Sequence, residues 1–233
     1  MRDALNATGR PIFYSICNWG EDGTHDWGPT TGNSWRTTWD IKNFWLSLEY
    51  NYRVNAYYAD VSGPGGWADP DMLEIGNKGL SIEEEKTHFA LWAIAKAPLI
   101  MGSDLTIIEK ESLDILMNKE LIAVNQDPTS KQATCRQGCS WTDSIMRHPS
   151  VWATETYNTD GSKKAIYAVV VNWHTSHIDN IKMDLKLLGL ESGHFAAYDM
   201  FDGTTDEFKD SNTLGIKRLE KHGCAALKIT KLD

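Results

Sequence analysis

The sequence predicts an α/β unit followed by an all-β unit: the C-terminal half of a (β/α)₈ barrel and then an antiparallel β-sandwich. Three observations carry this. Short apolar runs alternate with helical periodicity through residues 1–128, as parallel βα units do. About four such units fit there, half the number in a barrel of roughly 250 residues. Beyond Asn125-Gln126-Asp127-Pro128 the helical period fades, and short strand-like runs recur between turn signals through residues 129–233.

The elements follow in chain order. A helix-like start breaks at Thr8-Gly9-Arg10, and residues 11–17, with Ile12, Phe13, Tyr14 and Ile16, read as a strand. In residues 38–50, Ile41, Phe44, Trp45 and Leu48 sit at helical spacing. Ser81 and Glu84 form a capping box, and the helix it opens runs to about Lys96. Its later half, from Phe89 to Ile94, is apolar nearly all round, which marks a buried helix. Residues 97–101 read as a short buried strand with Pro98 near its start. Leu113, Leu116 and Met117 mark another helix, and Asn118 is placed to cap a further one carrying Leu121 and Ile122. In the second unit, strands are expected at residues 151–157, 165–172, 181–185, 195–200, 214–219 and 225–229, with a hairpin turn at Asn158-Thr159-Asp160-Gly161.

Composition narrows the partners. A net charge of −9 speaks against nucleic acid or an anionic membrane, both of which reward clustered Lys and Arg. No apolar run reaches the length of a membrane span, and residues 1–6 contain no signal-peptide core. The four cysteines have no zinc-type spacing, so no metal is expected; Cys135 and Cys139 can staple a short loop in an oxidising compartment. Asn6-Ala7-Thr8 is a lone glycosylation sequon. Ten tryptophans fill a core or, for a few of them, line a carbohydrate site.

The chemistry concentrates in Ser34-Trp35-Arg36-Thr37-Thr38-Trp39-Asp40 and in Gly65-Gly66-Trp67-Ala68-Asp69-Pro70-Asp71-Met72. If residues 33–36 end a barrel strand, Arg36 and Asp40 reach the rim where such barrels keep their active sites. There Arg36 can contact a sugar and Asp40 can give a proton to a leaving oxygen. The same two residues also read as an ordinary ion pair at a helix start. Asp69 and Asp71 can share a face of a strand and bind hydroxyls, with Met72 beside them, or form a plain Asp-Pro turn. Cys17 and Trp19 close the first strand, at the rim or in the core. Asp104 reads as pocket wall or helix cap, and His174 and His177 as a solvated loop with no third metal ligand.

These stretches, in this order, resemble the α-galactosidases of glycoside hydrolase family 27. The resemblance also takes in Gly9-Arg10-Pro11-Ile12-Phe13-Tyr14-Ser15, Cys17-Asn18-Trp19-Gly20, Ile75-Gly76-Asn77, Ala97-Pro98-Leu99-Ile100 and Val124-Asn125-Gln126-Asp127-Pro128, and more loosely Leu188-Gly189-Leu190 and Tyr198-Asp199-Met200-Phe201. It implies a barrel plus β domain, a retaining hydrolase of terminal α-galactosyl groups without metal or organic cofactor, and a secreted or lysosomal/vacuolar location. A homo-oligomer is compatible with it. It assigns Asp40 as general acid/base and Arg36 as a substrate ligand. Trp19 and Cys17 match the wall near the sugar's 2-position, and Asp71 with Met72 another wall. The Trp19 indole looks like a device against an N-acetyl group, favouring galactose over N-acetylgalactosamine.

The family's nucleophile is an Asp in a Lys-Tyr-Asp-x-Cys-type motif, which these residues do not contain. Its expected place is upstream of Met1, with the first half of the barrel and an Asp-Asp galactose-binding pair. The partner implied for Cys17 is the cysteine of that motif. Ala68 stands where the family usually has Asn, and Asn18 in place of the commoner Glu is similar to fungal members. The chain by itself is therefore expected to lack useful hydrolase activity. The rivals are a non-catalytic carbohydrate-binding or structural fragment and an α-N-acetylgalactosaminidase.

Overall fold

In the computed structural model, which describes residues 1–146, 148–190 and 193–232, three short parallel strands lie side by side in chain order. After the helix α1 (Arg2–Asn6) come β1 (Ser15–Ile16), α2 (Thr24–Thr31), β2 (Ser34–Arg36), α3 (Trp45–Asn55) and β3 (Trp67–Asp69). A parallel bridge between Leu73 and Met101 extends the series past β3. The helices α4 (Ile82–Ile94), α5 (Lys110–Leu116) and α6 (Lys119–Gln126) complete this first unit. Consecutive parallel pairing with intervening helices is the pattern of a barrel segment.

Among the described residues, eight strands and one short α-helix follow. They are β4 (Thr134–Gln137), α7 (Trp141–Ile145), β5 (Ser150–Tyr157), β6 (Lys163–Val171), β7 (Ile178–Asp184), β8 (His194–Asp199), β9 (Thr205–Lys209), β10 (Thr213–Leu219) and β11 (Cys224–Lys231). Six of them form an antiparallel sheet in the order β4-β5-β6-β11-β8-β9, and β7 with β10 forms a second, two-stranded sheet. The two pack as a sandwich around Ile166, Ala168, Val170, Met183, Leu185 and Leu227. Cys135 and Cys139 are joined by a disulfide.

The sequence of β6 shows why the two units hold together. From Ala165 to Val171 its residues are apolar without alternation because both faces are buried there. Ile166, Ala168 and Val170 face the sandwich interior, whereas Ala165, Tyr167, Val169 and Val171 join a cluster containing all of Phe89, Ala90, Leu91, Trp92, Ala93 and Ile94 from α4. The helix that reads as buried all round is therefore the seam between the units. Ser81 and Glu84 cap it reciprocally as expected. At its far end Lys96, in a left-handed conformation, donates its ammonium to the carbonyls of Val124 and Asp127 and to Ser130, which ties α4 to the end of α6. His222 completes the seam. It stacks on Trp45 at 4.3 Å and bonds Glu84 at 2.5 Å.

Three expectations fail locally. Of residues 11–17 only Ser15 and Ile16 form a strand; Ile12 and Phe13 are exposed, because β1 pairs with β2 alone among the described residues. Residues 97–101 form no buried strand. The Ile100 N–H turns back to the Pro98 carbonyl, only Met101 bridges, and Ile100 and Met101 are half exposed. The helix expected across residues 38–50 starts only at Trp45, and Phe44 faces water. The reason lies in the candidate site, where the backbone before Trp45 is bonded elsewhere.

Candidate active site

Strand β2 is paired on both sides and buried, with Trp35 fully enclosed beneath it. It delivers Arg36 to the C-terminal rim of the parallel sheet. The Arg36 Nη2 atom lies 2.6 Å from Asp71 Oδ2 and 3.2 Å from Asp40 Oδ1, and also reaches the Thr38 carbonyl at 3.3 Å. One guanidinium thus holds two carboxylates with different exposure. Asp71 is buried with Arg36, whereas 59% of the Asp40 side chain remains accessible. Five N–H donors serve a guanidinium, and Arg36 Nε has no acceptor among the described residues.

Asp71 does not share a strand face with Asp69. It has left β3 and sits at φ +88°. That conformation is uncommon for a residue with a side chain and is typical of functional sites. It turns the carboxylate toward Arg36 and lets Oδ2 accept from the Ile41 N–H at 2.8 Å, while Oδ1 accepts from Met72 N–H at 2.8 Å. The Ile41 bond is one of those that delay α3. Another comes from Asn51 on α3, whose amide donates to the carbonyls of Trp39 (3.3 Å) and Pro70 (3.0 Å). Asn51 therefore ties both rim loops to one helix. Trp92 Nε1–H donates to the Asp71 carbonyl at 2.7 Å, so the seam helix supports the same loop from below. Sequence reasoning missed Asn51 and Trp92; a polar residue on the inner face of an amphipathic helix was the only available signal for the first.

Asp69 lies under the pair, 6% exposed. Its Oδ1 accepts the Asp71 N–H at 2.8 Å. Burial pushes its carboxyl up to about 6, against the pull of that hydrogen bond and of the Arg36 cation; the Asp71 carboxylate adds to the push.

Trp19 stands at φ +60°, exposed in the loop that follows β1. The next residue, Gly20, has φ +80°, and a Cβ there would lie 2.6 Å from the Thr37 carbonyl oxygen. Only glycine lets the Trp19 loop lie this close to the Arg36–Asp40 loop. Cys17 is an exposed free thiol at the same rim, and Met72 is partly exposed beside Gly102. Asp104 caps no helix, since Glu109 precedes the next one: it bonds the backbone and hydroxyl of Thr106 in an exposed turn. His174 bonds Ser176, and no group of three or more metal-ligating side chains occurs among the described residues. A groove of about 500 Å³ opens beside Asp40, lined by Trp19, Trp39, Phe44, Leu46 and Tyr50.

Comparison with known proteins bears on this geometry. Residues 1–127 match the protein-family model described as Alpha galactosidase A, and residues 148–229 match the one described as Alpha galactosidase C-terminal beta sandwich domain. "Alpha-galactosidase 3" of Arabidopsis thaliana is 55% identical over 132 residues, which cover 57% of this chain and 30% of that protein. "Probable alpha-galactosidase D" of Aspergillus niger is 36% identical over 233 residues, covering 98% of this chain and 33% of that one. The crystal structure of alpha-galactosidase I from Mortierella vinacea superposes with a TM-score of 0.88 at 28% identity, over 99% of this chain and 61% of that chain. The chain thus spans about a third of the length of these curated relatives.

Proposed function

The chain belongs to the α-galactosidase family of glycoside hydrolases, and on that premise we infer that it supplies the acid/base half of a retaining α-galactosidase active site. The observation that carries the reading is the Arg36–Asp40 arrangement: a half-exposed carboxyl, oriented by a buried guanidinium, at the C-terminal rim of a parallel sheet.

Retaining hydrolysis needs two carboxyl groups roughly 5–5.5 Å apart, one on each side of the glycosidic bond. Asp40 serves as the acid. Its exposed edge gives a proton to the leaving oxygen while a nucleophile, supplied from outside these 233 residues, attacks the anomeric carbon. The proton then returns to Asp40 from the water that resolves the glycosyl intermediate. Asp71 is not given this part, since its side chain is buried against Arg36 and two backbone N–H groups whereas that of Asp40 is accessible. It serves with Met72 as a wall of the pocket. Arg36 orients Asp40 and binds a sugar hydroxyl; Trp19 and Cys17 border the 2-position. No step calls for a metal or an organic cofactor. The substrates are terminal α-galactosides. A secreted or lysosomal/vacuolar site of action agrees with the Cys135–Cys139 disulfide, which persists in oxidising compartments. No helix among the described residues is long and apolar enough to cross a membrane.

The test is Asp40→Ala in the full encoded protein. With kcat/KM as the readout, the first step is isolated. An α-galactoside with a poor, sugar leaving group should lose about 10²–10⁴-fold, the usual contribution of a general acid. A dinitrophenyl α-galactoside, whose leaving group needs no protonation, should lose far less. Equal losses on both would remove Asp40 from the acid role.

A further inference from the structure

We propose that Asn51 is a positioning residue for proton transfer: its buried amide sets the Asp40 carboxyl against the Arg36–Asp71 pair. This rests on the acid role of Asp40 and adds the group that places the acid.

The first argument is what holds Asp40. Arg36 meets Asp71 at 2.6 Å with both side chains nearly covered, as short as a strong charge-assisted bond. It meets Asp40 at 3.2 Å, longer than such bonds usually are, and most of the Asp40 side chain is in water. The guanidinium is therefore anchored on Asp71, and an exposed ion pair of that length places Asp40 only loosely. The backbone supplies the rest. Asp40 lies in the irregular stretch between β2 and α3, and the peptide groups on both sides of it are pinned. The Ile41 N–H, after Asp40, donates to Asp71 Oδ2 at 2.8 Å. The Trp39 carbonyl, before it, accepts from Asn51 at 3.3 Å. Peptide groups are planar, so pinning the two that flank Asp40 fixes the direction in which its side chain leaves the backbone.

The second argument is that one amide serves both carboxylates. Asn51 also donates to the Pro70 carbonyl at 3.0 Å, in the peptide group just before Asp71. A single side-chain nitrogen thus joins the peptide groups that precede the two carboxylates on Arg36. The spacing between those carboxylates follows from it.

The third argument is cost. Asn51 is buried on α3 beside Leu48 and Tyr52, where an apolar side chain would serve packing and favour the helix more. A buried amide is unfavourable unless its hydrogen bonds are made, and here they go to the two rim loops. One turn on, Asn55 is buried as well. Its amide donates to Thr37 Oγ1 at 3.3 Å, and its Oδ1 accepts from Gln132 at 3.0 Å. Asn55 shares the helix, the residue type and the loop, but it bonds neither peptide group next to a carboxylate. It is the natural control.

The experiment uses the full encoded protein, an α-galactosyl disaccharide and dinitrophenyl α-galactoside. The readout is the ratio of kcat/KM, disaccharide over dinitrophenyl, since the disaccharide alone needs a proton on its leaving oxygen. Asn51→Leu removes the amide but keeps a branched side chain, and Asn51→Ala removes it without added bulk; should one fail to fold, the other decides. The ratio should fall about tenfold to a hundredfold, the scale of a catalytic group displaced by about 1 Å. Asn55→Ala should destabilise the fold and leave the ratio near wild type, because loosened packing weakens both reactions alike. In the Asp40→Ala background, Asn51→Leu should move the ratio no further, since its effect runs through Asp40. An unshifted ratio in the Asn51 variants overturns the proposal. So does an equal shift in Asn55→Ala, or a further shift in the Asp40→Ala background. Asp40→Ala alone tells the two readings apart. If it lowers the ratio and the Asn51 variants do not, the positioning role falls by itself. If it leaves the ratio unmoved, or if the wild type hydrolyses neither substrate, the acid reading falls and this proposal with it.

Discussion

The seam between the two units and the parallel sheet are built to opposite designs. Around α4 the apolar cluster is large and closed: the six consecutive apolar residues from Phe89 to Ile94 are at most 1% exposed, and β6, β11, Trp152 and Trp173 cover them from the second unit. Among the described residues, the parallel sheet's cluster has just Ile16, Trp35 and Ala68 as buried members, with exposed apolar groups at both ends. Stability in a protein follows buried apolar area, whereas binding and chemistry need accessible groups. The molecule separates the two. Its second unit, which carries none of the candidate catalytic residues, shields the helix from which Trp92 supports Asp71.

The sharpest way to break this comparison is to truncate one residue on each side of it. Trp92 is fully buried, packs edge-on to His88 at 4.1 Å and bonds the Asp71 carbonyl. Trp92→Ala should lower unfolding stability by about 3–5 kcal/mol. Phe13→Ala, at a 64% exposed position on the open edge, should change it by about 0.5 kcal/mol or less. Urea unfolding of the two variants, followed by circular dichroism, gives both numbers. Similar losses would mean that the sheet edge is as much a part of the core as the seam.

A smaller effect separates the floor of the site from its rim. The Asp69 carboxyl sits at about 6 in the folded protein, above its ordinary value of 3.8. A raised acid stabilises the fold while protonated, so its contribution is complete below about pH 3.8 and is lost as pH rises through 6. Wild type should therefore lose about 1–3 kcal/mol between pH 4 and pH 7 through this one group. Asp69→Asn keeps an acceptor for the Asp71 N–H but cannot ionise. Relative to wild type it should gain stability at pH 7 and not at pH 4. Urea midpoints at the two pH values check this; an equal difference at both would place the charge of Asp69 in a well-solvated setting.

What the sequence showed and what it hid divide along similar lines. The unbroken apolar face and capping box of α4, and the two-faced apolar run of β6, were legible because burial from every side leaves a pattern in the residues themselves. β4 and β9 were not foreseen. They carry Thr134-Cys135-Arg136-Gln137 and Thr205-Asp206-Glu207-Phe208-Lys209, and they are the two outer strands of the six-stranded sheet, where polar residues guard an edge. In the site, the four-residue spacing of Arg36 and Asp40 could be read, and the pair forms. The second carboxylate on Arg36 could not. It depends on Asp71 adopting a left-handed backbone, which a non-glycine residue gives no sign of, and on Asn51 and Trp92 meeting rim loops distant in the chain.

The smallest effect tests whether the strained Trp19 belongs to the rim for a chemical reason. A tryptophan at φ +60° costs on the order of 1–3 kcal/mol of backbone strain, and it is 45% exposed, so packing does not repay it. Gly20 and the Thr37 carbonyl hold its loop against the Arg36–Asp40 loop, which sets the indole beside the proposed sugar pocket. If it stands at the 2-position, it rejects an N-acetyl group by clash, and rejection of that kind relaxes when the obstacle is removed. In the full encoded protein, Trp19→Ala should raise kcat/KM for a nitrophenyl α-N-acetylgalactosaminide relative to the matching galactoside about tenfold, equivalent to about 1.4 kcal/mol. Galactoside turnover is expected to fall as well, because the indole also covers the sugar, so the ratio and not either rate is the measurement. A ratio that does not move would leave the strain at Trp19 serving the loop alone, and the wall of the 2-position would have to be sought in another residue of the rim.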